Sequence, residues 1–190
     1  MLHLPFQLIL ASGSPRRQTL LKEMDVAFTI RLVEVDERYP EDLDAEKVAE
    51  YLAGKKAEAY LISDDELLLT ADTVVVLEGE VLGKPANSAE AMQLIRKQSG
   101  KLQTVITGVC LRTTSEMLTF SSTTEVQFNH LTDDEIQYYV EKYKPYDKAG
   151  AYGIQEWIGN IAIARINGSY TNVMGLPTEA LYNALKSFEL

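Results

Sequence analysis

The sequence predicts an α/β protein with a mixed, partly antiparallel sheet that is flanked by helices and whose two halves meet at a cleft. Three observations lead to this prediction. Strand-like and helix-like segments alternate through the first half of the 190 residues. Two long segments rich in Thr, Val and Phe then follow each other at 102–113 and 117–129, which favours antiparallel pairing. Because no repeat, low-complexity stretch or linker divides the chain, we expect one domain over residues 1–190 with two lobes.

The first half of the chain begins with a strand, a helix and a second strand. Pro15 suits the first helical position and Ser14 the N-cap, which sets the start of the first helix. The following helix has one apolar stripe, made by Leu43, Val48, Tyr51, Leu52, Tyr60 and Leu61. The predicted elements up to this point are a strand at 7–12, a helix at 15–24, a strand at 27–35 and a helix at 43–62.

A continuous apolar run, 67–77, predicts a strand that is buried on both faces. The pair Glu78-Gly79 indicates a tight hairpin turn into a short strand at 80–82. Asn87 and Glu90 have the spacing of a capping box and open a helix that ends near Gln98.

The second half follows its two long strands with a helix that starts at the capping box Thr132–Glu135 and stops before Pro145. Recurrent glycines then indicate loops around a strand at 161–166. Pro177 opens a last helix that reaches about Phe188.

Composition limits the function classes. The net charge of −10 argues against nonspecific binding to nucleic acid or to an anionic membrane surface. Cys110 is the only cysteine, so the chain has no intramolecular disulfide and no thiolate metal cluster, and we expect it in the core. No apolar stretch is long enough to span a membrane, and the N-terminus lacks a targeting signal. The sequence therefore predicts a cytoplasmic protein.

The segment ASGSPRR at 11–17 carries the strongest local signal. It joins the first strand to the first helix, and it places Arg16 and Arg17 in the first helical turn. Positive charge is unfavourable at that end of a helix unless an anion is bound there. We therefore predict a phosphate site in which Ser12 and Ser14 line the loop and the arginines bind the anion. A surface helix start with two solvated arginines is the alternative.

Acidic residues indicate a metal site. Asp72 interrupts the buried apolar run, and a carboxylate there is costly unless it is paired, hydrogen-bonded or bound to metal. Glu34 and Asp36 are two residues apart in an extended segment, so both can face the same side. Together with Asp72 they would form an oxygen site for Mg²⁺ or Mn²⁺. A solvated acidic surface is the alternative for the segment from Glu34 to Glu50.

Further candidates for a phosphate or base site are Lys84 in a rigid Gly-Lys-Pro turn and Lys55 or Lys56 on the second helix. Gln155 follows a glycine-rich loop and can both donate and accept at the edge of a base. The alternatives are solvent-facing lysines and a structural turn. The sequence contains no Walker or GxGxxG motif, and no arrangement that suggests a covalent nucleophile.

Taken together, these segments resemble the Maf family of nucleoside triphosphate pyrophosphatases almost from end to end. The shared motifs, in chain order, are LASGSPRR at 10–17, EVDE at 34–37, KA at 56–57, ADTVV at 71–75, GKP at 83–85, DKAGAYGIQ at 147–155, NGSY at 167–170 and VMGLP at 173–177.

The resemblance implies hydrolysis of a nucleoside triphosphate to the monophosphate and pyrophosphate in a nucleotide-binding cleft. Asp72 matches the proposed proton acceptor of the family, and Arg16, Thr73 and Gln155 match positions associated with substrate choice. The DKAGAYGIQ form resembles the branch that hydrolyses dTTP and UTP, with modified pyrimidine nucleotides left open. Glu156 departs from the family, which often has glycine there.

An acidic protein cannot bind the negative charge of a triphosphate unaided, so this reaction calls for a divalent cation, Mg²⁺ or Mn²⁺, held by Asp72 and Glu34, with Asp36 and Glu37 as alternatives. The leaving pyrophosphate would be neutralised by Arg16, Arg17, Lys56 and Lys84. A homodimer is a further implication. Three alternatives stay open: a nucleotide-binding regulator of cell division that does not hydrolyse, a pyrophosphatase for 7-methyl-GTP, and one for another noncanonical nucleotide.

Overall fold

The computed structural model describes residues 2–189 and contains seven strands and seven α-helices in that range. The strands are β1 (Gln7–Leu10), β2 (Thr29–Ile30), β3 (Glu66–Leu77), β4 (Glu80–Leu82), β5 (Leu102–Arg112), β6 (Met117–Phe128) and β7 (Ile163–Asn167). The helices are α1 (Pro15–Glu23), α2 (Val48–Glu58), α3 (Ser88–Gln98), α4 (Asp133–Tyr143), α5 (Trp157–Ala162), α6 (Tyr170–Met174) and α7 (Thr178–Lys186). Short 3₁₀ turns cover Ala45–Lys47 and Ala149–Ala151.

The chain divides into two compact units. The first contains the residues up to Asp72, Thr107–Ser122 and the segment from Gly175 onward, and the second contains Thr73–Ile106 and Thr123–Met174. The strands form one sheet with the order β2-β1-β3-β5-β6-β7, and β4 pairs with β3. Strands β3, β5 and β6 contribute residues to both units.

The sheet is mixed, as predicted. Strand β1 pairs in parallel with β2 and β3, whereas β3 with β4 and β6 with β7 pair antiparallel. Strands β5 and β6 are neighbours, and the Thr113 amide donates to the Glu116 carbonyl while the Phe128 amide donates to the Lys101 carbonyl. In each pair the two residue numbers add up to the same value. This is expected when two strands run antiparallel from a single hairpin turn. The fold class is confirmed, and the cleft stays a prediction.

Helix α2 packs against the first unit's strands through small residues. Ala49, Ala53 and Ala57 are fully buried. On the neighbouring strand β5, Gly108 faces the start of the helix. A Cβ atom at Gly108 would lie 2.3 Å from the backbone of Ala49 and Glu50, so only glycine permits this approach. Cys110, on the same strand, is buried as predicted, and burial raises the pKa of its thiol to about 11.

The stripe predicted for residues 43–62 is partly wrong. Helix α2 ends at Glu58, Tyr51 is 41% exposed and Leu61 is 95% exposed. The Arg112 guanidinium donates to the carbonyls of Ala57 and Tyr60 at 2.5 and 3.1 Å and so satisfies backbone groups at the C-terminal end of the helix. Val48, Leu52 and Tyr60 of the predicted stripe are buried, as expected, and the small residues Ala49, Ala53 and Ala57 complete the buried face.

The second strand, predicted over 27–35, is only two residues long. Thr29 and Ile30 pair with Ile9 and Leu10, where β1 ends. Beyond Leu10 the chain turns into the loop before α1, so the neighbouring strand offers no further ladder partners. Residues 32–34 are consequently exposed.

The second unit has its own apolar core beneath α3 and α4. Both helices begin as predicted: the Asn87 side chain accepts from the Glu90 amide, and Thr132 with Glu135 forms a complete capping box. The hairpin between β3 and β4 turns at Glu78 and Gly79, both with positive φ. The packed residues are Val75, Leu77, Leu82, Ala91, Ile95, Val105, Val126, Phe128, Ile136, Tyr139, Val140, Ala151, Tyr152, Ile154, Ile158 and Ala162.

Two details of the second half differ from the prediction. Residues 161 and 162 end α5, so the strand predicted at 161–166 is β7 at Ile163–Asn167. The short helices α5 and α6 were not predicted, because each is under two turns and has no apolar period of its own. Over residues 2–189, the structure contains no helix of the length and apolarity that crossing a membrane requires.

Candidate active site

The loop between β1 and α1 is held by its own polar groups. Ser12 is buried, and its Oγ accepts from the Ser14 amide at 3.3 Å and from Arg17 Nη1 at 3.2 Å. Ser14 is the N-cap residue, as predicted, and it has extended backbone conformation, but its side chain makes no capping hydrogen bond. The first turn of α1 contains no acidic residue that would compensate its N–H groups.

Arg17 is anchored in the first unit. Its Nε donates to the Gly175 carbonyl at 2.8 Å, and Nη1 donates to the Ala71 carbonyl at 2.8 Å. Burial lowers the pKa of Arg17 below its usual value, the charge of Asp72 opposes this change, and the charge of Arg16 adds to it. Two neighbouring guanidinium groups of which one is desolvated favour an anion, as the phosphate prediction requires. Arg16 itself is half-buried.

We expect Arg17→Lys to lower the free energy of unfolding by about 2 kcal/mol, because a lysine keeps the charge but has one nitrogen in place of the planar group whose Nε and Nη1 reach two different carbonyls. Urea unfolding followed by circular dichroism measures the change. Arg38→Lys is the matched control: Arg38 is 89% exposed and pairs with Asp36 at the surface, so its substitution should change stability by less than about 0.5 kcal/mol. Equal stability of Arg17→Lys and wild type would contradict the anchoring role.

A charged cluster surrounds Asp72. The Lys56 ammonium, on α2, lies 2.5 Å from Asp72 Oδ1 and 2.7 Å from Glu37 Oε1. The side chains of Asp72 and Lys56 are only 12% and 14% exposed, whereas Glu37 is 49% exposed. Asp72 therefore sits at the end of the first unit's part of β3 as a nearly buried carboxylate with a cation beside it, which is the pairing that its burial requires.

The other acidic residues of the predicted metal site, which precede α2, differ in their surroundings. Asp36 turns to Arg38, whose side-chain and backbone hydrogen bonds lower the Asp36 pKa to about 2. Lys55 donates to the Arg38 carbonyl at 2.6 Å. Glu34 is exposed and stays a predicted metal ligand. The contacts of Lys56 bring Glu37, the alternative ligand of the prediction, close to Asp72.

The donor set is compatible with a cation that is shared with substrate. Within residues 2–189 no three His, Cys, Asp or Glu side chains are grouped closely enough to hold a metal on their own. Mg²⁺ is commonly bound through one or two carboxylates, with waters and substrate phosphates as the other ligands. Asp72 and Glu37, which flank the same ammonium, provide two such carboxylates.

The second unit carries the other predicted residues. Thr73 is half-buried, while Lys84 and Gln155 are exposed. The loop before Gln155 turns at Gly150, whose φ is 65° and whose carbonyl accepts from Gln98 Nε2 at 2.6 Å. Tyr152 is buried in the core, where its ring meets Phe128 edge-on at 5.0 Å. Its role is therefore packing.

Sequence reasoning missed two residues that hold this loop. Lys148 is buried and lies 3.2 Å from Glu156 Oε1 and 2.8 Å from Asp147 Oδ1. Tyr139 donates its hydroxyl to Glu156 and accepts from the Gly153 amide at 3.0 Å. Tyr139 sits in the apolar stripe of α4, so the sequence indicates a core residue and gives no signal of its polar role.

The chain is similar to known proteins over nearly its whole length. Residues 7–188 match the family model Maf, described as Maf-like protein. The dTTP/UTP pyrophosphatase of Porphyromonas gingivalis strain W83 is 51% identical, over 96% of this chain and 94% of that protein. A protein of the same name from Parabacteroides distasonis is 50% identical, over 96% of each chain.

Among solved structures, the Ham1 protein of Staphylococcus aureus matches with a TM-score of 0.50 and 16% identity, over 94% of this chain and 99% of that one. At this identity the likeness concerns the fold alone, and it agrees with the mixed α/β sheet described above. The family match covers nearly the whole chain and contains the loop at 11–17, the Lys56–Asp72 pair and the Gln155 loop. The chain therefore belongs to the Maf family.

Proposed function

We propose that the protein is a nucleoside triphosphate pyrophosphatase that hydrolyses dTTP and UTP to the monophosphate and pyrophosphate. Two relatives that share half of its residues over nearly their full length are named dTTP/UTP pyrophosphatase, which supports the substrate class. Modified pyrimidine nucleotides belong to the same class of substrate.

The observation that carries this proposal is the pairing of Asp72 with Lys56. A nearly buried carboxylate is retained at the end of a buried strand segment, beside an ammonium 2.5 Å away and near the half-buried Arg17. A protein that only binds nucleotides needs cations for the phosphates but has no need for this carboxylate. A hydrolase needs it to orient or deprotonate the attacking water.

In the proposed reaction Asp72 accepts a proton from the water that attacks the α-phosphorus, and pyrophosphate leaves. Lys56 holds the carboxylate in place through its contact with Oδ1. Arg16 and Arg17 stabilise the negative charge that develops on the leaving group, together with Ser12 and Ser14 of the same loop. The Arg17 anchors to Gly175 and Ala71 fix this loop before substrate arrives.

A divalent cation, Mg²⁺ or Mn²⁺, is part of the proposal. Asp72 would hold it together with Glu37 or the predicted ligand Glu34, and when bound it would offset phosphate charge and lower the pKa of water. Lys56 lies between Asp72 and Glu37 and would then be shared with the phosphates.

The remaining predicted contacts lie in the second unit. Thr73, Lys84 and Gln155 are proposed to bind substrate, with Gln155 at the edge of the base. The homodimer that the resemblance implies and the cytoplasmic location predicted from the sequence also belong to this proposal. Binding to nucleic acid or to membranes is not part of it, in line with the net charge of −10.

The test is a panel of nucleoside triphosphates with Mg²⁺, Mn²⁺ or EDTA, in which pyrophosphate is resolved from orthophosphate. We expect pyrophosphate from dTTP and UTP with either metal, and a loss of at least about 100-fold in rate with EDTA, because the triphosphate and carboxylate charges are then unscreened. Re-addition of Mg²⁺ in excess is the control and should restore the rate.

The other outcomes separate the alternatives. Selective hydrolysis of 7-methyl-GTP, or of a deaminated purine nucleotide, would keep the reaction but overturn the pyrimidine preference. Release of orthophosphate would mean that a different phosphoanhydride bond is cleaved. Binding of nucleotides without turnover would favour the regulator.

A further inference from the structure

Residues 153–156 of the second unit form a tight turn whose third position is Gln155, the proposed base contact. The Glu156 amide donates to the Gly153 carbonyl at 3.0 Å, which closes the turn. Gly153 and Ile154 are buried, whereas Gln155 is exposed. The turn therefore exposes Gln155 at the surface of the unit while the two residues before it lie in the interior.

One side chain holds both ends of this turn. The Tyr139 hydroxyl, on α4, accepts from the Gly153 amide at 3.0 Å and donates to the Glu156 carboxylate. Tyr139 is fully buried; burial raises the pKa of its phenol above the usual value, and the hydrogen bond to Glu156 raises it further. The hydroxyl therefore keeps the proton that it donates. Because Gly153 and Glu156 are the first and last residues of the turn, a single oxygen atom fixes both ends.

Two further contacts hold the turn from other sides. Lys148, which is itself buried, lies 3.2 Å from Glu156 Oε1. Helix α5 lies directly behind the turn, since a Cβ atom at Gly159 would stand 1.7 Å from the Ile154 carbonyl oxygen and no side chain fits between them. The backbone before and after Gln155 is thus held by contacts within one unit.

A turn that is held before the ligand arrives lowers the cost of binding, because the free energy of ordering a mobile loop is subtracted from the affinity. Without the Tyr139 hydroxyl, the buried Gly153 amide would lose this acceptor, and an unpaired buried amide favours another backbone conformation of the turn. Gln155 would then occupy several positions, and only a fraction of the molecules would have it in place for the base.

We propose that Tyr139 is a positioning residue for nucleotide binding, whose hydroxyl fixes the turn of residues 153–156 and thereby the place of Gln155 before the nucleotide arrives. This inference rests on the proposed function, in which Gln155 binds the edge of the base. Tyr139 itself does not touch the substrate. Its contribution concerns the affinity for the base and not the affinity for the phosphates.

The test is a double-mutant cycle of Tyr139→Phe and Gln155→Ala, with the Kd of the non-hydrolysable analogue α,β-methylene-dTTP measured by calorimetry. Phenylalanine keeps the ring in the core and removes only the hydroxyl. We expect each single variant to raise the Kd about tenfold and the double variant to bind as Gln155→Ala does, because the hydroxyl acts only through that side chain. Additive effects, or a Kd within about twofold of wild type in either single variant, would overturn the proposal.

Inorganic triphosphate separates positioning from a general disturbance of the fold. It has the phosphates of the nucleotide but no base, so its Kd should change less than about twofold in Tyr139→Phe. Equal weakening of both ligands would overturn the proposal. Tyr143→Phe is the matched control, because Tyr143 stacks on Tyr139 at 5.1 Å in the same helix, and its Kd for the analogue should equal that of wild type.

Hydrogen exchange on the wild-type protein tests the anchor itself. Without nucleotide, the Gly153 amide should exchange at least about 100-fold more slowly than in an unfolded chain. Exchange at the unfolded rate would overturn the proposal even if Tyr139→Phe did not fold. If wild type binds the analogue but releases no pyrophosphate from dTTP, the proposed function fails, whereas the Kd cycle still tests Tyr139. Absence of binding would overturn both.

Discussion

Asp72→Asn is expected to lower kcat about 1,000-fold while the fold and nucleotide binding persist. A positioned general base contributes about 10²–10⁴ in rate, and an amide at the same place cannot accept the proton. The amide oxygen can still accept from Lys56, which also keeps its contact with Glu37 at 2.7 Å. We therefore expect the free energy of unfolding to change by less than about 1 kcal/mol.

Pyrophosphate release under single-turnover conditions gives the rate, and calorimetry with α,β-methylene-dTTP gives the affinity. Asp44→Asn is the matched control, because Asp44 is an exposed carboxylate of the same unit that pairs with Lys47 at 2.8 Å. Its turnover should equal that of wild type. Wild-type turnover in Asp72→Asn would remove Asp72 from the chemistry, and loss of binding would assign it to substrate affinity instead.

Gly108→Ala is expected to be the most destabilising single-methyl addition in the first unit, by about 3 kcal/mol or more. The new Cβ atom would stand 2.3 Å from the backbone of Ala49 and Glu50, and backbone cannot move aside as a flexible side chain does. Helix α2 would have to shift away from β5. Because α2 also carries Lys56, we expect the shift to weaken the pairing with Asp72 and to lower kcat.

Urea unfolding and pyrophosphate release measure the two effects. Gly83→Ala is the control for the added methyl group, since a Cβ atom there meets nothing within 4 Å and the backbone does not have positive φ. Its stability should equal that of wild type or exceed it slightly. Unchanged stability in Gly108→Ala would mean that α2 is free to move relative to the strand.

The elements with explicit boundary chemistry could be predicted from the sequence. The capping residues Asn87 and Thr132 and the Glu78-Gly79 turn each fix a boundary through local contacts, and the structure has those contacts. Asp72 was recognisable because a carboxylate within an apolar run requires a partner. The sequence could not identify that partner as Lys56, which is 16 residues away and reaches it only through the packing of α2.

The errors came from information that is not local. The length of β2 depends on where β1 ends, and the buried face of α2 depends on the small residues that β5 accommodates. The roles of Tyr139 and Lys148 likewise require the loop of residues 147–156 to fold back onto α4. Each of these features is set by contacts between distant segments, which periodicity cannot report.

The shortness of β2 also has a consequence for behaviour at high concentration. Its own Ile30 and the residues Leu32 and Val33 just after it expose apolar side chains, a composition that in a long edge strand would recruit further strands from other molecules. However, β2 is only two residues long, and the next residue, Arg31, forms an ion pair with Glu66. A foreign strand would find too short a template for intermolecular pairing, so this edge resists aggregation despite its apolar composition.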